Sequence, residues 1–294
     1  PETILRISTN LGFHSNTVAN DFGLQSLRIF YPEMNATQNR FLKSFSGNYT
    51  KNINKFEYGF GLAYAERAPS VSEGYGFYLY NSNDFYDYIG NPNLKNEKAV
   101  EGNFSIGFKN NRLTSKITAS YFYISDYIIG KIDPKTLPMT IGASGVKIYN
   151  ALDHATIFNT DFNLEYALSQ NWNFKTQIAY SLGKDNNGNN LPFISRLRYN
   201  AGIEFRKEKL NTGILASGNL AQNDFAQTYG QTKTPDYLIF NINAGYAFDW
   251  NQNKIKVQTG IENIFDKYYT TFSDWNKIPR MGRNIFINLV YNFR

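Results

Sequence analysis

The chain contains no cysteine, two histidines and three methionines. Without cysteine it cannot be a disulfide-stapled secreted miniprotein, a Cys-ligated zinc or iron-sulfur protein, or a thiol enzyme. Long apolar runs are missing as well: no stretch of about 18 apolar residues occurs, and the mean hydropathy is −0.45. That excludes helical membrane spans. It does not exclude strands crossing a bilayer, because a lipid-facing barrel strand alternates apolar and polar residues and averages to a hydrophilic score. Proline is sparse, nine residues scattered among Asn-, Gly- and Lys-rich stretches, so no Pro/Ser linker divides the chain and residues 1–294 read as a single domain. Residue 1 is a proline with no initiator Met or signal segment ahead of it, so either the mature chain starts there or it is part of a longer one.

Chemistry-bearing clusters are equally scarce. His14 and His154 have no His/Cys/carboxylate neighbours at ligand spacing, and Met34, Met139 and Met281 are isolated, a pattern of gap-filling more than of soft copper ligation. No G-x-S-x-G stands near a strand end to support a Ser/His esterase. The expectation is a protein that is not an enzyme and holds no resident metal or cofactor. The net charge of +6 raises nucleic acid, but the cations alternate with aromatics instead of clustering and no nucleic-acid motif is present.

Aromatic side chains are abundant: Tyr 22, Phe 24 and Trp 3 make 17% of the chain, which excludes disorder. They fall on a period of 2 sustained for about ten residues at a time. In residues 236 to 248, Leu238, Phe240, Ile242, Ala244, Tyr246 and Phe248 share one face, while Asn241, Asn243 and Gly245 share the other. From 194 to 206, Leu197, Tyr199, Ala201, Ile203 and Phe205 alternate with Arg196, Arg198, Asn200, Glu204 and Arg206. The same alternation marks 55–66, 98–108, 112–124, 157–168, 173–182, 210–222, 254–264 and 283–293. At 40–50 the apolar face carries Lys43 and the pattern is weaker; further strands are expected at 3–13 and 24–31.

A soluble β-sandwich also alternates. Two features favour a transmembrane antiparallel β-barrel. Strands of roughly 11 residues at about 3.3 Å, tilted near 45°, rise about 26 Å, close to the ~25 Å apolar band of such barrels, whereas sandwich strands run nearer 5 or 6 residues. Connections also alternate short (51–54, 110–111, 169–171, 207–209, 249–253) with long (67–97, 127–150, 183–192, 227–235, 265–282), matching tight periplasmic turns and long extracellular loops. Arg196, Arg198, Glu204, Lys256 and Glu262 then face a wet lumen, since a charge facing lipid at mid-depth costs ~2 to 4 kcal/mol. Tyr64, Tyr121, Tyr123, Trp172, Phe174, Phe248 and Trp250, near strand ends, are the expected interfacial girdles. About 11 clear strands, or 13 with the two further ones, make an odd total, and single-chain bacterial barrels have even ones. Strands are therefore expected upstream of Pro1.

Ile285, Ile287, Leu289, Tyr291 and Phe293 alternate up to the penultimate residue, which resembles the C-terminal aromatic signature of outer-membrane barrels, with Arg294 following. Six further stretches resemble the C-terminal half of a TonB-dependent outer-membrane receptor. They are Tyr64 to Ser70 with Glu73, Gly90 to Glu97 with Glu101, Leu191 to Asn200, Thr234 to Tyr237, Gly260 to Tyr269, and Pro279 to Asn284. Ser195 stands where that family commonly has proline. The resemblance implies an all-β transmembrane antiparallel β-barrel, part of a roughly 22-stranded one, whose lumen is filled by a plug not in this chain. It also implies active import of a scarce ligand, most often a ferric siderophore or related metal chelate, across the outer membrane of a Gram-negative bacterium. The expected partners are outer-membrane lipid and lipopolysaccharide, the metal chelate, and the TonB complex reached through the missing N-terminal plug. A passive porin, an adhesin or structural barrel, and an importer of copper, haem or cobalamin are the other readings.

Ligand contacts are expected at Arg67 and in the long connection after it, which carries Tyr75, Phe77, Tyr78, Tyr80, Phe85, Tyr86 and Tyr88. Clustered rings present flat surface at low entropic cost and suit an aryl or planar chelate, and the net positive charge draws an anionic one. Packing of such rings on each other at the barrel rim is the more common role of tyrosine-rich loops and is the favoured alternative. Arg280 and Arg283, before the last strand, suit an anionic ligand or a lipopolysaccharide phosphate.

Overall fold

A computed structural model describes residues 2–250, 253–272, 274 and 277–292. Its elements in chain order are β1 (Thr3–Thr17), α1 (Asp21–Arg28), β2 (Thr37–Ile53), β3 (Phe56–Arg67), α2 (Val71–Tyr75), β4 (Leu79–Asn81), β5 (Tyr86–Ile89), β6 (Glu97–Lys109) and β7 (Leu113–Asp133). They continue with β8 (Gly145–Ala167), β9 (Trp172–Asp185), β10 (Leu197–Lys207), β11 (Leu210–Asn219), a 3-10 turn at Gln227–Tyr229, β12 (Tyr237–Trp250), β13 (Asn253–Glu262) and β14 (Asn284–Asn292). All strands join one sheet. Twelve of them form an antiparallel up-and-down wall in the order β1-β2-β3-β6-β7-β8-β9-β10-β11-β12-β13-β14, while β4 and β5 lie off that path.

Register places the apolar set of each strand on one face. Ile203 of β10 lies opposite Ile214 of β11, which lies opposite Ile242 of β12, and that residue faces Ile261 of β13 and then Ile285 of β14. Ile203, Ile214, Ile242 and Ile285 are exposed, as befits side chains whose solvent is lipid. The other face holds the charges, which pair across strands, Lys116 with Glu57 at 2.8 Å and Lys175 with Glu204 at 3.0 Å and with Glu165 at 3.6 Å, and along β10, Arg206 with Glu204 at 3.1 Å. Trp172 and Phe205 meet at 4.9 Å between centroids near the tight-turn ends of β9 and β10, and Tyr246 and Phe248 at 4.8 Å on β12. The expected girdle residue Trp250 has its side chain, and the C-terminal Phe293 its whole structure, outside the described residues.

Three expectations are corrected. Residues 24–31 are not a strand. Asp21–Arg28 is a helix, because the Asn20 side chain accepts from the Phe22 and Gly23 amides, Asp21 and Arg28 sit at the ends that suit their charges, and the turn buries Leu27. The second correction concerns 127–150, expected as a loop: β7 runs on to Asp133 and β8 begins at Gly145, so only 134–144 connects them. Alternation fails there because the extension is packed by other chain segments, and Ile128, Ile129 and Val146 are all buried. Third, the wall has twelve strands among the described residues, so the odd count used to infer further strands does not hold. The weak strand at 40–50 is real and spans Thr37–Ile53, its Lys43 lying in the electrostatic reach of Glu66.

The buried apolar core sits above the wall. Ile129, Leu152, Ala155, Leu191, Ala226 and Tyr229 pack together where the β7–β8 extension meets the β9–β10 and β11–β12 connections.

Candidate ligand-binding site

The long connections all leave the same rim and form a folded layer. The one after β3 starts with an electrostatic clip. Arg67 donates through Nη1 to Glu73 Oε2 at 2.7 Å and through Nη2 to Glu97 Oε2 at 2.8 Å, so one guanidinium ties α2 to the start of β6. Glu73 also accepts from the Ser70 amide at 2.7 Å while Ser70 Oγ accepts from the Glu73 amide, a capping box that fixes α2. Burial works to raise the Glu73 carboxyl, but Arg67 and the Ser70 amide outweigh it and hold it below the usual carboxylate range. The Gly90 amide then donates to the Gly76 carbonyl at 2.7 Å and the Asn91 amide to the Glu73 carbonyl at 2.8 Å. A Cβ on Gly90 would stand 2.6 Å from the Tyr75 and Gly76 nitrogens, so only glycine lets these segments approach.

Between these anchors β4 and β5 form a small hairpin, and β5 pairs in parallel with the extension of β8, Tyr86 opposite Gly145 through Ile89 opposite Ile148. Beneath it lies a buried hub. Lys147 Nζ donates to Asp84 Oδ2 at 2.7 Å and to the Tyr229 carbonyl at 2.9 Å, and lies 4.5 Å from the Tyr86 ring centre. Both charged side chains are 2% exposed or less. Burial pushes the Lys147 ammonium below its ordinary value, opposed by Asp84. Tyr88 donates to the same Asp84 oxygen at 2.6 Å, and Tyr229 donates to Asp185 Oδ2 at 2.7 Å. Asp185 in turn accepts the Asn187 and Asn189 amides. One network therefore joins the β3–β6, β9–β10 and β11–β12 connections through Lys147 on β8. Asp87, fully buried, accepts the Met139 and Thr140 amides at 2.8 Å each and pins the β7–β8 connection to the same hairpin.

The residues expected to contact ligand fall in three places. Tyr86 and Tyr88 belong to the hub. Tyr75 and Tyr78 lie beside it: Tyr75 ends α2, and Tyr78 packs with Phe77 (5.0 Å) and Phe30 (6.3 Å), joining the β1–β2 connection to this layer. Tyr80 on β4 is exposed, and Arg67 has two carboxylate partners. Arg280 and Arg283 sit elsewhere, in the β13–β14 connection. Arg280 Nε donates to Asp274 Oδ2 at 2.8 Å, and Arg283 Nε to the Ile264 carbonyl at 2.9 Å. There Asn263 is the organiser: its side chain accepts the Lys267 amide and donates to the Lys267 and Met281 carbonyls, while the Arg283 amide donates to Asp266. Of the methionines, Met34 is buried while Met139 and Met281 are exposed on different connections. His154 stacks on Tyr123 at 5.1 Å. Among the described residues no group of three or more His, Cys, Asp or Glu side chains is placed to hold a metal ion.

Sequence reasoning missed Lys147, Asp84, Tyr127, Tyr149 and Tyr229. Lys147, Tyr127 and Tyr149 lay in a stretch read as loop, and no local pattern links Lys147 to Asp84 or Tyr229. The one available signal was Tyr127 and Tyr149 themselves, two large rings flanking a presumed turn.

An antiparallel wall that is apolar outside, ion-paired inside and surmounted by a folded loop layer defines a transmembrane β-barrel wall built to present loops. Residues 6–264 match the family described as TonB dependent receptor-like, beta-barrel, and the chain belongs to that family. Among solved structures it resembles the copper transporter OprC, with a TM-score of 0.80 and 20% identity, over 99% of this chain and 45% of that one. It resembles the siderophore receptor PirA from Acinetobacter baumannii with a TM-score of 0.67 and 16% identity, over 99% and 52%. It also resembles a mutant of the ferric enterobactin receptor PfeA from Pseudomonas aeruginosa, with a TM-score of 0.66 and 16% identity, over 87% and 42%. The chain thus spans about half the length of the structures it matches. These proteins are receptors and transporters.

Proposed function

We propose that the chain is the wall and loop layer of a TonB-dependent active importer in the outer membrane of a Gram-negative bacterium, handling a ferric siderophore or related metal chelate. The domain reading, 1–294 as one barrel portion, goes with it. On this reading a plug outside the chain carries the contact with the TonB complex, and the wall supplies the lipid and lipopolysaccharide contacts. The observation that carries the proposal is the tyrosine-rich connection after β3, folded into an ordered hairpin over a buried hub. A passive pore gains nothing from it, whereas a receptor needs rigid, flat surface to hold ligand before transport. Tyr75, Tyr78, Tyr80, Tyr86 and Tyr88 are the contacts on this reading. Arg67, Arg280 and Arg283 act mainly by holding their connections in shape. The copper reading draws support from the resemblance to OprC, but the three methionines are spread between a buried site and two separate connections.

The test is uptake in iron-starved cells lacking the gene and complemented with it, using a panel of radiolabelled ferric chelates and a copper salt. Loss of one ferric chelate, restored by the gene and abolished by dissipating the proton gradient, is expected. Unchanged iron uptake across the panel with lost copper uptake overturns the chelate assignment, and energy-independent uptake overturns the importer.

A further inference from the structure

A cavity of about 270 Å³ lies between the β7–β8 extension, the β4–β5 hairpin and the β11–β12 connection. For scale, a cavity of about 150 Å³ accepts benzene, so this one holds a single substituted ring. Its walls are rings: Tyr88 and Tyr149, 5.2 Å apart between centroids and tilted 41°, with Tyr127, Tyr229 and Phe193 around them. Gly130 makes room for the first, since a Cβ there would stand 2.6 Å from Tyr88 Cε1.

The hydroxyls divide into two kinds. Those of Tyr88 and Tyr229 are committed to Asp84 and Asp185, which fixes those rings as walls. Those of Tyr127 and Tyr149 have no hydrogen-bond partner among the described residues, and both side chains are half-buried. Burial pushes the Tyr149 phenol up to about 12 and raises Tyr127 as well, so both stay protonated and can donate. The nearest cation, Lys147, is already neutralised by Asp84. The cavity therefore offers flat walls and two donors, with no net charge.

We infer that this cavity is a binding site for one planar aromatic ring carrying an acceptor oxygen on the ring or on the atom attached to it, packed against the wall that Tyr88 and Tyr149 form together and hydrogen-bonded by Tyr127 and Tyr149. The inference deepens the importer reading and rests on it for its biological role: it names the part of a chelate that the loop layer grips.

The experiment uses the purified full-length receptor in detergent and two iron-free probes, measured by titration calorimetry. 2-Hydroxybenzamide supplies ring and acceptor; 2-hydroxybenzylamine has the same ring with a cationic donor in place of the carbonyl. Millimolar or tighter binding of the amide, at least tenfold stronger than the amine, is expected. Tyr127→Phe and Tyr149→Phe keep the rings and the fold and should each weaken amide binding about fivefold. Phe193→Trp should weaken it at least tenfold by filling the space. Equal affinity for the two probes, no millimolar binding of the amide, or unchanged affinity in both Tyr→Phe variants overturns the site. Because the probes carry no metal, a receptor that binds the amide but imports no ferric chelate keeps this site and loses the transport reading. One that imports a chelate but ignores the amide does the reverse.

Discussion

Replacing Lys147 with methionine tests whether the loop layer is held by one hub. Methionine keeps most of the side-chain volume but strands Asp84, whose side chain is 1% exposed, as a buried charge with only the Tyr88 hydroxyl and the Tyr86 amide left to it. Removing one partner of a buried pair costs about 3 to 5 kcal/mol, because the remaining charge is uncompensated. By contrast, the exposed Arg206–Glu204 contact on the wall is of a kind worth about 0 to 1 kcal/mol. At about 1.4 kcal/mol per tenfold, local opening should become roughly a hundredfold to a few thousandfold more frequent. Hydrogen exchange followed by mass spectrometry reads this directly: amides of the β4–β5 hairpin and of the Gln227–Tyr229 turn should both lose protection, while β10 to β12 keep theirs. The double variant Lys147→Met with Asp84→Asn removes the stranded charge and should regain most of the loss, giving a coupling energy of the same order as the single effect. Protection unchanged in Lys147→Met, or lost in one of the two segments alone, refutes the hub.

Three further outcomes follow from the geometry. Ile203→Arg, on the lipid face near the middle of β10, should destabilise the wall by about 2 to 4 kcal/mol in reversible bilayer folding, whereas Asn200→Arg on the inner face should change it little. Asn263→Ala removes three side-chain hydrogen bonds from the β13–β14 connection and puts alanine at φ 48°, so about 2 to 4 kcal/mol of local stability should go, seen as faster proteolysis within 264–283. Glu73, Asp185 and Asp274 all lie below the usual carboxylate range, the last because the Thr271 and Arg280 contacts outweigh burial. Carboxyls lowered by folding contribute stability that is fully present above their unfolded values, near pH 4, and is lost as pH falls through the folded ones. Hydroxyl-radical footprinting should therefore show the loop layer closed at pH 6 and opening below about pH 4, with the wall unaffected.

The wall was legible because its physics is local. Lipid outside and water inside force Leu238, Phe240, Ile242 and Ala244 onto one face of β12 whatever lies elsewhere in the chain, and the short turns set the register. The clip at Arg67 was not legible: Arg67 was expected to contact ligand, and although Glu73 and Glu97 lie in stretches that carry the family resemblance, no local pattern pairs either of them with it. The loop layer was not legible, because there both sides of a strand are covered and the alternation that marks β7 up to Tyr123 disappears by Ile128 and Ile129. Lys147 finds Asp84 at a separation of 63 residues and the Tyr229 carbonyl at 82, distances at which one sequence carries no signal. Helix α1 failed for a different reason: eight residues give too few turns to separate a period of 3.6 from one of 2.

The register at the head of β3 carries an evolutionary consequence. Arg67 and Glu97 sit directly opposite each other in the ladder, although everything from 68 to 96 lies between them. To the wall, that whole insert is equivalent to a tight hairpin turn. Loop-closure entropy grows only logarithmically, about 0.6 kcal/mol per doubling of length, so such a segment can be exchanged, lengthened or rebuilt while the ladder beneath it closes unchanged. New recognition chemistry can thus be grafted at one address without renegotiating the membrane-spanning part, and proteins at 16 to 20% identity can share this wall while differing in what they carry.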